Sequence, residues 1–285
     1  MLVVITPAKN EANNLHILAK TILKQTLKPK LWVIVDDGSE DQTPRVVKLL
    51  SEKRRFIKYL RINEKSEYNI ERYPYVVKRG IDYALKKANS EIKYISIVDA
   101  DVSLNSDYFE EIIRCMECDR DVGVASGIMY ELTNEDLVVR KNVWEEHILG
   151  GAALVIRREC YESVGGFPCT PAPDVVFKIK ALKRGWKAKV VTTTKFVHRR
   201  SQDHYKRYRK FGEETAMLGI HPLHSILIGI YFIYKKSYLG LAFMLGYLIT
   251  YLSLKRINDF EVFNYYRHEA FSNLIRRIKT KLYYM

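Results

Sequence analysis

Short runs of β-branched and aliphatic residues, each closing on a polar turn and followed by a helical stripe, recur through the first half of the chain. LVVITPA, LWVIVDDGS, FIKYLRI and YISIVDAD read as strands, and VGVASGIMYEL and AALVIRRE as two more. Between them, NEANNLHILAKTILKQ places Leu15, Leu18, Ile22 and Leu23 on one helical stripe. TPRVVKLLSEK carries Pro44 near its start, and PYVVKRGIDYALKKAN and residues 106–118 read as helices too. Strands alternating with helices in this way predict an α/β fold built on a mostly parallel sheet flanked by helices. In such sheets ligands bind outside the carboxyl ends of the strands.

Three polar loops stand at those ends. The first is Pro7-Ala8-Lys9-Asn10-Glu11, and the second runs from Asp36-Asp37-Gly38-Ser39 to Thr43. The third is Asp99-Ala100-Asp101. Alone, the second reads as a turn whose Ser39, Asp41 and Thr43 cap the next helix. The third places two carboxylates on the same side of an extended segment. Such a pair repels unless a cation sits with it, and hard divalent ions take oxygen ligands of this kind while keeping positions open for phosphate.

In this order and spacing the three loops resemble glycosyltransferase family 2, whose GT-A fold binds nucleotide sugars. The resemblance continues through Gly150-Gly151-Ala152, Arg157-Arg158-Glu159, Val164-Gly165-Gly166-Phe167, Asp174, Gly185-Trp186 and Val197-His198-Arg199. It covers the chain to about residue 200 and extends to the dolichyl-phosphate sugar synthases. What it implies is a metal-dependent, inverting transfer of one sugar from a GDP- or UDP-sugar.

The roles implied fall on particular residues. Pro7, Ala8, Asn10 and Glu11 would line the nucleotide, and Asp37 would accept a hydrogen bond from the base. Asp99, with Ala100 and Gly151, would lie near the ribose and diphosphate. Asp101, with Asp99 and His198, would hold Mg²⁺ or Mn²⁺, and an imidazole favours Mn²⁺. His198 also reads as a polar residue at a strand end. Arg199 would clamp the β-phosphate; Arg200 is a weaker candidate. Asp174 would be the catalytic base on the acceptor hydroxyl, although it also reads as a helix cap. A phosphate acceptor, already an anion, would need no base.

The chain departs from the family in three places. Pro173 stands where an acidic neighbour of Asp174 is usual. Val77-Lys78-Arg79-Gly80 replaces A-R-N-x-G, leaving Lys78 as the substitute phosphate contact. The Q-x-x-R-W signature of processive synthases is absent, which favours a single transfer over polymerisation. Two other functions compete: a non-catalytic nucleotide-sugar binder, which would lose Asp101 or Asp174, and a sugar-phosphate nucleotidyltransferase, which would need a glycine-rich basic loop near its start.

Charge divides the chain. Residues 1–194 carry a net +4 and residues 195–285 a net +10. The basic third also holds an uncharged run of 18 residues, Ser237 to Leu254, between Lys235-Lys236 and Lys255-Arg256. As one helix it would measure ~27 Å, short of a ~30 Å hydrocarbon core. Cations at both ends favour an interfacial or re-entrant helical pair on anionic lipid over a true span. A soluble oligomer interface is the remaining reading. Residues 258–285 are expected to return as a basic helix, with Arg276, Arg277, Lys279 and Lys281 at headgroups. Nucleic acid is disfavoured as a partner, because the charge flanks apolar helices instead of lining a folded face.

The expected domains are therefore 1–212, catalytic, and 213–285, membrane-associated. The expected acceptor is lipid-linked or membrane-proximal. The opening MLVVITPAKNE has no basic segment followed by an apolar one, so no secretory signal is expected. That puts the catalytic part on the cytoplasmic face of the membrane. Cys115-Met116-Glu117-Cys118 has no matching second half for a zinc site, and its thiols are expected to be free.

Overall fold

The computed structural model describes residues 1–63, 71–88, 91–132, 137–139, 149–199, 204–236, 238–270 and 272. The chain divides into two compact units, Met1–Cys169 with Pro173–Ser201, and Thr170–Ala172 with Gln202–Met285.

The first unit is a mixed α/β layer structure. Its elements begin with β1 (Leu2–Ala8), α1 (Ala12–Leu23), β2 (Leu31–Asp36), α2 (Thr43–Lys53) and β3 (Ile57–Arg61). Next come α3 (Arg72–Ala88), β4 (Tyr94–Val98), β5 (Val102–Leu104), α4 (Tyr108–Cys118), β6 (Val122–Leu132) and β7 (Leu137–Val139). β8 (Ala153–Arg157), α5 (Arg158–Val164), α6 (Pro173–Lys183) and β9 (Lys187–His198) complete it. The strands form one sheet in the order β3-β2-β1-β4-β8-β6-β9-β5, with β7 beside β6. β3, β2, β1 and β4 are parallel, as the alternation predicts. β8 runs antiparallel to both β4 and β6 and joins this block to the rest.

Period-two alternation explains the two cores. Leu2 and Val4 of β1 and Trp32 and Ile34 of β2 face the layer holding Leu15, Leu18 and Ile22 of α1. Val3, Ile5, Val33 and Val35 face the opposite layer, against Val76, Val77, Ile81 and Ala84 of α3. Both sheet faces are covered, which is why these strands read as continuous apolar runs rather than alternating ones. Gly80 lets α3 lie flush on the sheet, since a Cβ there would run into Ile5 and Val35.

β9 is the main element that the apolar pattern misses. Lys187, Lys189, Thr192, Thr193 and Lys195 interrupt its hydrophobicity, because much of the strand faces solvent. It is nonetheless 12 residues long and pairs with both β6 and β5.

The second unit is helical: α7 (His204–Met217), α8 (Pro222–Lys236), α9 (Tyr238–Leu252) and α10 (Phe260–Asn264), the last continuing as a π turn over Tyr265–Glu269. A boundary at 212 would cut α7, which packs on α9 with backbone against backbone. A Cβ on Gly212 would strike the Phe243 carbonyl, and one on Gly246 the Arg209 carbonyl. The basic helix expected over 258–285 is described only as far as residue 272, and its described part is helical from Phe260 to Ala270. Asp259 caps α10 by accepting from the Val262 amide at 3.2 Å, and α10 gives way after five residues to the wider π turn. Arg276, Arg277, Lys279 and Lys281 lie outside the described residues, as does Arg200. The uncharged run forms only 15 residues of helix, and no helix among the described residues is long and apolar enough to cross a membrane.

Candidate functional site

The first two loops are stitched to each other at the carboxyl ends of β1 and β2. Asn10 takes a left-handed conformation, φ 57°, which an Asn tolerates better than most residues. Its amide donates to Ser39 Oγ at 2.9 Å, and its side-chain oxygen accepts from the Glu40 amide at 2.9 Å. The Glu11 amide donates to Thr43 Oγ1 at 2.7 Å. Ser39 and Thr43 thus receive the amides of the first loop, and the N-cap of α2, Gln42, makes no side-chain capping bond. Asn10, expected at the nucleotide, spends its carboxamide holding the loops together.

The two aspartates of the second loop differ in kind. Asp36 is fully buried and structural. It accepts from the Ser39 amide at 2.9 Å, the Tyr59 hydroxyl at 2.8 Å and the Arg61 guanidinium at 3.0 Å. Asp37 faces the buried Arg72 at the start of α3, whose Nε donates to Oδ1 at 2.8 Å, while Lys9 stands 3.9 Å from Oδ2. Arg72 went unremarked in the sequence because nothing in its spacing ties it to a carboxylate 35 residues earlier.

Beyond β4 the carboxylates of the third loop meet residues from three distant segments. The Asp99 amide donates to the Ala152 carbonyl at 2.9 Å, which brings the Gly151–Ala152 turn against the loop. The Tyr73 hydroxyl donates to Asp99 Oδ1 at 2.8 Å. Pairing of β5 with β9 sets His198 opposite Val102, and His198 Nε2 lies 3.3 Å from Asp101 Oδ2. Asp174 is the second residue of α6, in a first turn where a negative charge suits the helix dipole. Its carboxylate lies on the Cα of Gly151, where any Cβ would collide with it.

The electrostatics record this crowding. Burial and then the Asp101 charge push the Asp99 carboxyl up to about 7, and Asp174 adds to the effect. Burial, followed by Asp99, holds the Tyr73 phenol well above its usual range, with Asp174 and Asp101 contributing. Burial alone would lower the His198 imidazole, but its hydrogen bond to Asp101 and the charges of Asp101 and Asp99 raise it.

Other expected contacts are placed differently. Pro7 lies within β1, and the side chains of Ala8 and Ala100 belong to the core, so those two can meet a ligand through their backbone only. The Ala8 carbonyl already accepts from the Asp37 amide at 2.8 Å. Buried Glu11 accepts from Asn14 Nδ2 at 2.6 Å. Lys78 stands 3.8 Å from Asp82 on the half-exposed side of α3. The Arg199 amide donates to the Asp101 carbonyl at 2.9 Å, while its guanidinium reaches Asn14 Oδ1 at 2.8 Å. Its buried Nε has no hydrogen-bond partner, and burial lowers its pKa.

A divalent cation suits this donor set. Burial first, and then the charge of Asp101, raise the Asp99 carboxyl to about 7, and a cation would replace the proton it holds. Among the described residues, no group of three or more His, Cys, Asp and Glu side chains is placed to hold a metal ion. The protein would supply part of the shell and leave the rest to phosphate oxygens and water, as Mg²⁺ sites commonly do. The four cysteines are free; Cys118 and Cys169 are exposed and Cys160 is buried.

Several known proteins resemble the chain. An uncharacterized protein of Methanocaldococcus jannaschii is 32% identical over 100 residues, 35% of this chain and 40% of that relative. The match therefore spans less than half the length of that curated relative. A mannosyltransferase of Pyrobaculum calidifontis, solved with GDP-Man and Mn²⁺, superposes with a TM-score of 0.59 at 18% identity, over 89% of this chain and 73% of that one. TarS 1–349 of S. aureus in complex with UDP-GlcNAc gives 0.55 at 18% identity, over 90% and 74%. At such identities the likeness is one of fold, and the fold is GT-A. The model of the glycosyl transferase family 2 matches residues 3–153, more than half of the chain, and the chain belongs to that family.

Proposed function

We propose that this protein transfers one sugar from a nucleoside-diphosphate sugar, with inversion, to an acceptor at the cytoplasmic face of a membrane. The observation that carries the reading is the convergence of Asp99, Asp101 and Asp174 around Tyr73 and His198, from four separate segments. Family membership supports the donor class, and a fold neighbour solved with GDP-Man and Mn²⁺ supports donor and cation together.

Asp37, oriented by Arg72, accepts a hydrogen bond from the base. Asp101, with Asp99 and His198, would hold Mg²⁺ or Mn²⁺, which neutralises charge building on the departing diphosphate. Asp174, kept in place by the absence of a side chain at Gly151, takes the proton of the acceptor hydroxyl as its oxygen attacks the anomeric carbon. The bond to the nucleoside diphosphate breaks, and the diphosphate leaves with the electron pair. Where the acceptor is a phosphate, it attacks as an anion and Asp174 only positions it.

Incubating the full chain with GDP-, UDP- and dTDP-sugars, Mn²⁺ or Mg²⁺ and a membrane extract tests this. Cation-dependent release of one nucleoside diphosphate, with the sugar moving to the lipid fraction, is expected. Neither binding nor release with any donor would overturn the donor class. Release with transfer only to water-soluble acceptors would overturn the membrane acceptor.

A further inference from the structure

The helical unit exposes large aliphatic side chains along two adjacent helices. On α8, Leu223, Leu227 and Ile230 recur at three- to four-residue spacing, and Ile230 is 56% exposed. On α9, Leu241, Leu245, Leu248 and Leu252 do the same, at 61%, 42%, 53% and 69%. Both sets fall on single stripes, so this is a face and not scattered surface leucine.

What lies underneath sets this face apart from a poorly covered core. α9 turns Gly240, Ala242, Gly246 and Thr250 inward along with Leu239, Phe243 and Tyr247. Glycines mark its approach to α8: a Cβ on Gly229 would strike Met244, and one on Gly240 would strike Ile233. Phe211, Phe232 and Phe243 form an aromatic cluster with ring centroids 5.3–6.2 Å apart, in which Phe243 is fully buried and Phe211 is 42% exposed. Small residues inside and large aliphatics outside is the arrangement that helices adopt when their surroundings are themselves apolar.

From this face we infer that α8 and α9 form a monotopic hairpin, lying flat in one leaflet of an anionic bilayer without crossing it. Each helix has 15 residues, about 22 Å at 1.5 Å per residue, too short for a ~30 Å hydrocarbon core. The connection between them follows Lys235-Lys236, and upright insertion would drive that pair toward the membrane centre. Tyr234 and Tyr238 border the same connection and are 81% and 60% exposed, a placement that suits aromatic rings at headgroup depth. Lys255-Arg256 closes the other end of α9, so both ends meet anionic headgroups on one side. The inference deepens the membrane-acceptor reading without depending on catalysis.

Two measurements on the full chain test it. Co-sedimentation with vesicles of phosphatidylglycerol and phosphatidylcholine should capture the wild type. The variant Ile230→Gln/Leu241→Gln/Leu248→Gln should bind at least about tenfold more weakly. Leu49→Gln, an exposed leucine of the first unit, should bind as wild type does. Next, Ser237→Cys and Ser253→Cys, each in a chain whose Cys115, Cys118 and Cys169 are serine, should both react with a membrane-impermeant thiol reagent added outside vesicles. Protection of either cysteine alone would replace the flat hairpin with a span. Unchanged vesicle binding by the triple variant would overturn the proposal. So would a detergent-free dimer that the same substitutions dissociate, because the occupant would then be a second copy. Donor hydrolysis in solution should persist in the triple variant, and its loss in Asp101→Ala alone would bear only on the catalytic reading.

Discussion

In the α/β unit the inner strands bury Val, Ile and Leu from end to end, whereas in the helical unit α9 buries Gly240, Ala242, Gly246 and Thr250 and turns Leu241, Leu248 and Leu252 outward. Both units obey the same physics against different surroundings. β1, β2 and β4 bury their apolar side chains against helices and strands of the same unit. α8 and α9 present aliphatic stripes that their own unit does not cover. The polar residues invert in the same sense. The first unit collects buried charges at the carboxyl ends of its parallel strands, where a ligand can balance them, and the helical unit packs aromatics and backbone against backbone.

Four experiments would break or sharpen this contrast. The largest effect is expected in the charged cluster, where Asp101→Ala, or excess chelator, should lower sugar transfer by about 10³-fold or more, the scale of losing several kcal/mol of leaving-group stabilisation. Steady-state transfer with and without Mn²⁺ measures it, and full activity of the variant in chelator would remove the cation from the site. Next, Asp174→Asn should reduce transfer to a hydroxyl acceptor by roughly 10²-fold while leaving donor affinity near wild type. Gly151→Ala should act in the same direction by displacing that carboxylate, and normal transfer in both would leave Asp174 only its place in the first turn of α6.

In the helical unit the effects should be on stability and should follow the inverted burial. Gly246→Leu forces α7 from α9 and should cost about 1–3 kcal/mol, whereas Leu248→Gln should stay within about 0.5 kcal/mol. Thermal unfolding of the two variants decides. Equal losses would mean that the outward leucines are covered after all.

The smallest effect concerns pH. The Asp99 carboxyl is raised from 3.8 to about 7, so the folded chain holds this proton more tightly than the unfolded chain does. Its contribution to stability is therefore fully present below about pH 4 and is lost as pH rises through about 7. A cation competes with the same proton, so Mn²⁺ affinity should fall about tenfold for each pH unit below about 7. Calorimetric titration at several pH values checks this, and a flat profile would separate Asp99 from the cation.

Much of the first unit was legible because its signals are local. The predicted strand at 122–132 and helix at 43–53 coincide with β6 and α2, since apolar runs and a proline at the helix start depend on near neighbours alone. The loops at the carboxyl ends of β1, β2 and β4 were legible for the same reason. β9 was not, because its lysines and threonines face solvent and dilute the pattern. Arg72 and Tyr73 carry no sequence signal either, since they reach Asp37 and Asp99 only after α3 docks across the sheet.

Residue order by itself determined the alternation of strands and helices, the three acidic loops and the division of charge between +4 and +10, because each depends on short-range periodicity or on counting. Only the tertiary structure decided which acids share a site. The antiparallel pairing of β5 with β9 carries His198 to Asp101, and the turn at Gly151 has just enough room for Asp174. Long-range register and the volume of a missing side chain are properties of packing, and no local pattern encodes them.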